Sequence, residues 1–347
     1  MKTQVVSRNN QIRSILFVTL LMTITFVVIL KDYSLTEIVH VIESVHPFYL
    51  IAGILMMLIY FGCQAMNFYI ILSKLQHPVS YGYCIEYAYV GNYFGAITPG
   101  ASGGQPAQLY YMSKDKIHVD LSAITVFLMV FISQIVILVF GGVMAILRYP
   151  LIARYESWMK YLTIAGSVAM LVLTIILMSL MFMRKIIPFL FKAVLQVGIK
   201  VHLIKKPEEV KGKFAAIFLS YHEKSKMLLK HPDLFVKVFL ITVVQWASYY
   251  MVSYLVYLGF GHRQNDALDL MSGQSLISIA VAAVPLPGSV GIAEKAYLNV
   301  YGQFYTAQEL PSAMILSRII NFYMPLFISF IVYMIVHFRA IKMKKSS

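Results

Sequence analysis

Two stretches decide how this chain is read: ITPGASGGQPAQ (Ile97–Gln108) and VPLPGSVGIAE (Val284–Glu294). Each places a Pro-Gly-x-x-Gly break beside an apolar run, and the two prolines stand 188 residues apart, at 99 and 287. Proline removes a backbone donor and glycine leaves helical geometry at low cost, so each break forces a turn. At membrane depth such a turn is tolerated only inside protein or beside a water-filled cavity. Paired broken segments in the two halves of a polytopic chain point to a transport site.

The bulk composition supplies the membrane. Of 347 residues, 59% are hydrophobic and 13% charged, with mean hydropathy +0.74, which excludes the soluble classes. A formal charge of +14 raises the question of nucleic acid. The basic residues flank apolar runs instead of forming a folded basic domain, so nucleic acid is not expected as a partner. Cys63 and Cys84 both lie in apolar stretches and suggest neither a disulfide nor a metal site.

Six stretches satisfy the ~17–25 residues needed to cross the hydrocarbon core. They are Ser14–Leu30, Pro47–Leu72, Leu121–Leu147, Tyr161–Phe182, Leu234–Phe260 and Ser312–Phe338. The first has no small-residue cleavage site after it and is read as a retained span, not a signal peptide. Between Arg184 and Lys237 stand twelve Lys or Arg against four acidic residues, which marks a cytoplasmic loop. A single crossing by Tyr81–Met112 would put that loop outside. The region is therefore expected to enter and leave on the cytoplasmic side, and Leu268–Phe304 to do the same from the outside.

The expected architecture is thus an all-α polytopic bundle of about six spans plus two re-entrant hairpins (81–112 and 268–304) in an inverted repeat, with both termini cytoplasmic. The whole chain, 1–347, reads as a single transmembrane domain with no soluble domain. Its first half is 14–182, its connector 183–233 and its second half 234–338. Within the connector, Ile187, Leu190, Phe191, Val194 and Leu195 recur among lysines, as in an amphipathic helix on the leaflet surface or a solvated connector.

Ionisable groups at membrane depth cost at least ~2.5–3.5 kcal/mol each and need a reason to be there. Glu86 lies in the first broken segment, Glu294 and Lys295 follow the second break, and Arg318 lies in the last span. A cation and carboxylates in one bundle suggest a cavity for a charged headgroup, with Arg318 on phosphate and Glu86 and Glu294 on a cationic group or balancing Arg318. The competing reading is a purely structural ion pair. Asn92, Gln105 and Gln108 join the candidate headgroup contacts. Pro99, Gly100, Gly103, Gly104, Pro287, Gly288 and Gly291 are the candidate hinges. Gln64, Asn67, Ser133, Gln134, Gln245 and Asn321 read as hydrogen-bonding glue between helices. Lys295 is long enough to snorkel to an interface, and Asp266 and Asp269 read as a solvated loop. No His-Glu-x-x-His, Gly-x-Ser-x-Gly or Cys/His cluster is present, so no metal, cofactor or catalytic residue is expected.

Three motifs together, ITPGASGGQPAQLYYM (Ile97–Met112), VPLPGSVGIAE (Val284–Glu294) and SRIINFYMP (Ser317–Pro325), resemble the transmembrane, flippase-like domain of the lysylphosphatidylglycerol synthase or multiple peptide resistance factor family. The resemblance implies a translocase that moves a phospholipid or aminoacyl-phospholipid such as lysylphosphatidylglycerol across a bacterial-type cytoplasmic membrane and contributes to cationic peptide resistance. Membrane phospholipids are the implied partners. The sequence stops at Ser347, so the family's aminoacyl-transfer domain is expected to be absent. The alternative is the membrane half of a phosphatidylglycerol lysyltransferase, or another lipid-modifying transferase, completed by a separate catalytic enzyme. A third reading is a scaffold that recruits lipid-synthesis enzymes through the basic loop.

Overall fold

The computed structural model describes residues 45–75, 77–182 and 207–346, with isolated positions 40, 43, 188, 191, 192, 195 and 196 besides. The expected span Ser14–Leu30 and most of the amphipathic stretch 187–195 lie outside the described residues. The regular elements among the described residues are helices: α1 (Pro47–Lys74), α2 (Tyr81–Ile97), α3 (Gly104–Lys114), α4 (Val119–Leu147), α5 (Tyr149–Ile152), α6 (Ser157–Phe182), α7 (Pro207–Leu229), α8 (Pro232–Gly259), α9 (Ala267–Val281), α10 (Ile292–Tyr301), α11 (Leu310–Arg318) and α12 (Met324–Ser346). A π-helical stretch, Ile319–Tyr323, joins α11 to α12.

Five helices are long and apolar enough to cross a membrane: α1, α4, α6, α8 and the continuous run Leu310–Ala340. They correspond to the five expected spans that fall among the described residues, with ends moved by a few residues. α1 and α8 start with proline in the first turn, where its missing N–H costs no intrahelical bond.

α1 and α8 form an antiparallel seam. Gly259 packs against Val45, Gly53 against Val252 and Tyr60 against Trp246. Asn67 donates to Thr242 Oγ1 at 3.0 Å, and Lys74 Nζ lies 3.6 Å from Asp233. The C-terminal end of α1 therefore shares a face with the start of α8. The C-terminal end of α8 shares the opposite face with the start of α1.

That seam fixes the hairpins. α2 and α3 fold back on one another after α1, so their open end lies at the Lys74–Asp233 face. α9 and α10 do the same after α8, so theirs lies at the Val45–Gly259 face. The two hairpins enter from opposite faces and their tips meet, with Pro99 paired antiparallel to Pro287.

The third helix of each set then crosses to the other hairpin. α12 packs along α2, where Tyr93 stacks on Tyr333 and Asn92 donates to Ser329 Oγ at 3.0 Å. α4 packs along α9, where Gly141 admits Ile279. The elements α1, α2/α3 and α4 thus recur, inverted, as α8, α9/α10 and α11–α12, at offsets of 185 (Pro47 to Pro232), 188 (Pro99 to Pro287) and 191 (Val119 to Leu310) residues.

The same offset relates two arginine clasps. Arg339, at the end of the last span, holds Glu86 near the start of α2 with both carboxylate oxygens engaged, Nη1 to Oε1 at 2.7 Å. Arg148, 191 residues earlier, caps α4 and holds Asp266 at 2.6 Å and Asp269 at 3.2 Å at the start of α9. Asp266 and Asp269 also cap α9 reciprocally. The expectation of a solvated loop there holds for Asp266, which is 56% exposed, and is corrected for Asp269, which is 15% exposed; each acid is also engaged by a backbone N–H and by Arg148. Both arginine side chains remain about a third exposed, 29% and 33%, so water screens the pairs. Arg148→Gln and Arg339→Gln are each expected to cost no more than about 1 kcal/mol. Because the clasps sit at opposite faces, the costs should add in the double variant, read as melting temperature in detergent.

α7 docks by a polar anchor: Lys224 pairs with Asp120 at the start of α4, and Ser220 donates to the same carboxylate. This brings a lysine-bearing helix to the Lys74–Asp233 face.

Candidate functional site

The site is built from the two hairpin tips. In the first, Gly100 and Ala101 have φ +57° and +56°; in the second, Gly288 and Ser289 have φ +58° and +51°. Two successive left-handed residues reverse a chain tightly, and glycine takes the first such position at no steric cost. The hydrogen bonds repeat as well. Ala101 N–H donates to Thr98 O at 3.2 Å and Ser102 N–H to Pro99 O at 3.2 Å. Their counterparts 188 residues on are Ser289 to Leu286 at 3.1 Å and Val290 to Pro287 at 3.4 Å. The expected hinge residues are therefore two copies of one turn.

The two copies diverge at their last glycine. In the first, Gly103 N–H donates to Thr98 Oγ1 at 2.8 Å. In the second, the equivalent Gly291, at φ +85°, donates to the Glu294 carboxylate at 2.6 Å. Glu294 caps the start of α10, where a carboxylate is favoured by the free N–H groups. Its other oxygen, Oε1, lies 2.7 Å from Arg318 Nε. Both side chains are about 15% exposed. Arg318 also donates to Gly288 O at 3.2 Å and lies over the Phe322 ring at 4.5 Å. The guanidinium is thus tied to the second turn from three sides.

Beside the tips lies a cavity of about 650 Å³. Its walls include both turns (Gly100, Ala101, Gly288, Ser289) and the middles of the long helices: Tyr60 and Gln64 of α1, Ser133 and Gln134 of α4, Gln245 and Trp246 of α8. The cavity therefore sits at mid-depth of the bundle. It also touches Leu173 of α6 and Leu286 of the second tip, which are 40% and 44% exposed, so it extends to the apolar outer surface. A smaller cavity of about 140 Å³ adjoins it, sharing Tyr249, Ser278, Gly288, Ser289, Asn321 and Phe322, and this one is lined by Arg318.

Of the residues singled out in the sequence, Asn92, Gln105 and Gln108 line the larger cavity with Gly100, Gly104 and Gly288. Gln108 Nε2 donates to Tyr87 O at 3.2 Å, bracing α3 on α2. Gly104 lets α3 approach the Gly91 carbonyl, 2.7 Å from where a Cβ would stand. Arg318 and Glu294 come together. Glu86 does not join them, because Arg339 holds it at the hairpin mouth. Lys295 lies over the Trp158 ring at 4.9 Å, away from the cavity.

The polar residues read as interhelical glue divide. Asn67 does bond across the α1–α8 seam. Gln245 also bonds across that seam, to Tyr60, while lining the cavity; Gln64, Ser133, Gln134 and Asn321 line the cavity as well, which the glue reading did not anticipate. Several polar atoms there have no partner among the described residues: Gln134 Oε1, Trp246 Nε1 and both amide atoms of Asn321, which is 8% exposed. A signal for them did exist: each glutamine stands near the midpoint of a long apolar helix, where an amide has no interface to reach. Among the described residues no three His, Cys, Asp or Glu side chains converge to hold a metal ion.

Fold and site together define a polytopic helical membrane protein with a polar mid-depth cavity between two inverted hairpins. The chain belongs to the family described as the lysylphosphatidylglycerol synthase TM region, whose model matches residues 11–329. It is similar to a UPF0104 membrane protein of Archaeoglobus fulgidus, 22% identical over 317 residues that cover 89% of this chain and 93% of the relative.

Proposed function

We propose that the chain is a lipid translocase that carries a lipid headgroup through the cavity between its hairpin tips while the acyl tails stay in the bilayer. The observation that carries this reading is the cavity's position. Polar walls at the midpoints of the spans reach the apolar surface at Leu173 and Leu286, which is the geometry a headgroup with attached tails requires. A polar path of this kind lowers the cost of moving a headgroup through hydrocarbon, where each unsatisfied polar group costs several kcal/mol. Arg318, which lines the smaller cavity adjoining the larger one, is the group assigned to a phosphate. Membership of the lysylphosphatidylglycerol synthase TM region family supports a lipid as cargo.

The basic face, with Lys74, Lys114, Lys116, Lys224, Lys226 and Lys230, is assigned to the cytoplasm by the positive-inside rule. The first hairpin then opens inward and the second outward.

The test is reconstitution in phospholipid vesicles with an acyl-labelled fluorescent phospholipid and a membrane-impermeant quencher. The wild-type chain is expected to expose inner-leaflet lipid to the quencher. Arg318→Ala should reduce the rate to that of empty vesicles, and an unchanged rate in this variant would remove the assignment of Arg318.

A further inference from the structure

We infer that the larger cavity takes the uncharged, hydroxyl-rich part of a headgroup, the sugar of a glycolipid or a comparable polyol, with any phosphate left to Arg318 in the smaller cavity, and rejects headgroups that carry an ammonium. This rests on the translocase reading for its lipid, but its chemistry is read from the cavity wall alone.

Charge comes first. Among the described residues, no Asp, Glu, Lys or Arg lines the larger cavity. The two acids that could have met a cationic headgroup are both engaged elsewhere, Glu86 by Arg339 and Glu294 by Arg318 and the Gly291 N–H. An ammonium entering this space would lose its hydration with no counter-charge to replace it, a penalty of several kcal/mol per ion.

An aromatic cage could substitute for a carboxylate, as it does for quaternary ammonium ligands. The aromatic residues here do not form one. Tyr60, Trp246 and Tyr249 pack on each other with ring centroids 5.6–5.7 Å apart, which leaves no gap between faces for a cation. Their rings are tilted or edge-to-face, with interplanar angles of 82°, 49° and 70°, so the surface they offer is one of ring edges and single faces, against which the C–H face of a sugar ring can lie.

Hydrogen bonding completes the pattern. The amides Gln64, Gln105, Gln134, Gln245 and Asn321 line the space, and an amide offers donors and an acceptor side by side. Vicinal hydroxyls, which each donate and accept, match that arrangement; a phosphate, which only accepts, would use half of it. Asn321 adds to this. It is 8% exposed, neither its Oδ1 nor its Nδ2 has a partner among the described residues, and it lies on the wall common to both cavities; both atoms are closed off from the space as it stands, so the side chain must turn toward a ligand to be satisfied. A buried amide with both ends unpaired is expensive unless a ligand satisfies it.

The chain has two tryptophans, so Trp158→Phe leaves Trp246 as a reporter in the cavity wall. In that background, the detergent-purified full chain is titrated with hexyl glucoside, hexyltrimethylammonium and glucose, each below any micellar concentration. Hexyl glucoside is expected to change the Trp246 emission saturably and to bind at least about tenfold more tightly than the ammonium compound. Asn321→Leu should weaken the glucoside by a similar factor and leave the ammonium compound unaffected. Equal or tighter binding of hexyltrimethylammonium overturns the inference. Glucose binding as tightly as its alkyl glycoside overturns the lipid source, since the tail would then contribute nothing.

Vesicle transport of acyl-labelled glucosyl-diacylglycerol, compared with phosphatidylcholine and lysylphosphatidylglycerol, separates this inference from the function it rests on. Faster movement of the glucosyl lipid supports both. Glucoside binding with no lipid movement leaves the site and removes the translocase. Faster movement of the ammonium-bearing lipids leaves the translocase and removes the site assignment.

Discussion

Gly166→Ala is expected to break the packing of α6 on the second hairpin. A Cβ at this position would fall inside the van der Waals sphere of the Ile279 carbonyl oxygen and 2.7 Å from its carbonyl carbon. These are backbone atoms of α9, so no side-chain rotation relieves the clash; one helix must move off the other. Overpacking of a close-packed interior commonly costs about 1–3 kcal/mol, and a clash with backbone belongs at the top of that range or above it. The measurement is thermal unfolding of the purified chain in detergent, with size-exclusion to follow monodispersity. Gly142→Ala on α4 is the control, because nothing lies within 4 Å of a Cβ there. That substitution should leave the melting temperature unchanged or raise it, by up to about 1 kcal/mol of helix propensity. Equal behaviour of the two variants would show that α6 and α9 are not in backbone contact at Gly166.

The second large effect concerns Glu294 and Arg318. Removing one partner of a buried ion pair leaves an uncompensated charge and costs about 3–5 kcal/mol, whereas replacing both with apolar groups of similar volume is often neutral. Glu294→Ala alone is therefore expected to lower the melting temperature sharply. The double variant Glu294→Leu with Arg318→Met should recover most of that loss. Transport should not recover, because the double variant lacks the guanidinium. This outcome would separate the pair's part in holding the second turn from its part in meeting a headgroup. Recovery of transport along with stability would make the pair structural only.

The architecture is legible in the sequence to the extent that it depends on length and punctuation. Apolar runs long enough to span, two Pro-Gly breaks and the basic segment between Arg184 and Lys237 lead to spans plus opposed hairpins. The contacts along α1 and α8 place the hairpin mouths at opposite faces. The pairing of ionisable groups is not legible, because it depends on which helices lie side by side. Glu86 and Arg339 are 253 residues apart and meet only because α12 crosses to the first hairpin. The amide lining escapes a sequence reading for a related reason. Gln134 and Gln245 have the composition of interhelical glue, and only the open space beside them distinguishes a wall from a seam. The π-helical stretch Ile319–Tyr323 has no marker in its residue types, although it carries Asn321 and Phe322 to the cavity.

The pairing of Pro99 with Pro287 has a mechanical consequence. The hairpins reach it from opposite faces, so the two tips abut through one residue pair at mid-depth. Each tip ends an arm anchored at its own mouth, by Arg339 in one case and Arg148 in the other. Each arm is thus fixed at its outer end by charge and braced at its inner end by the other arm.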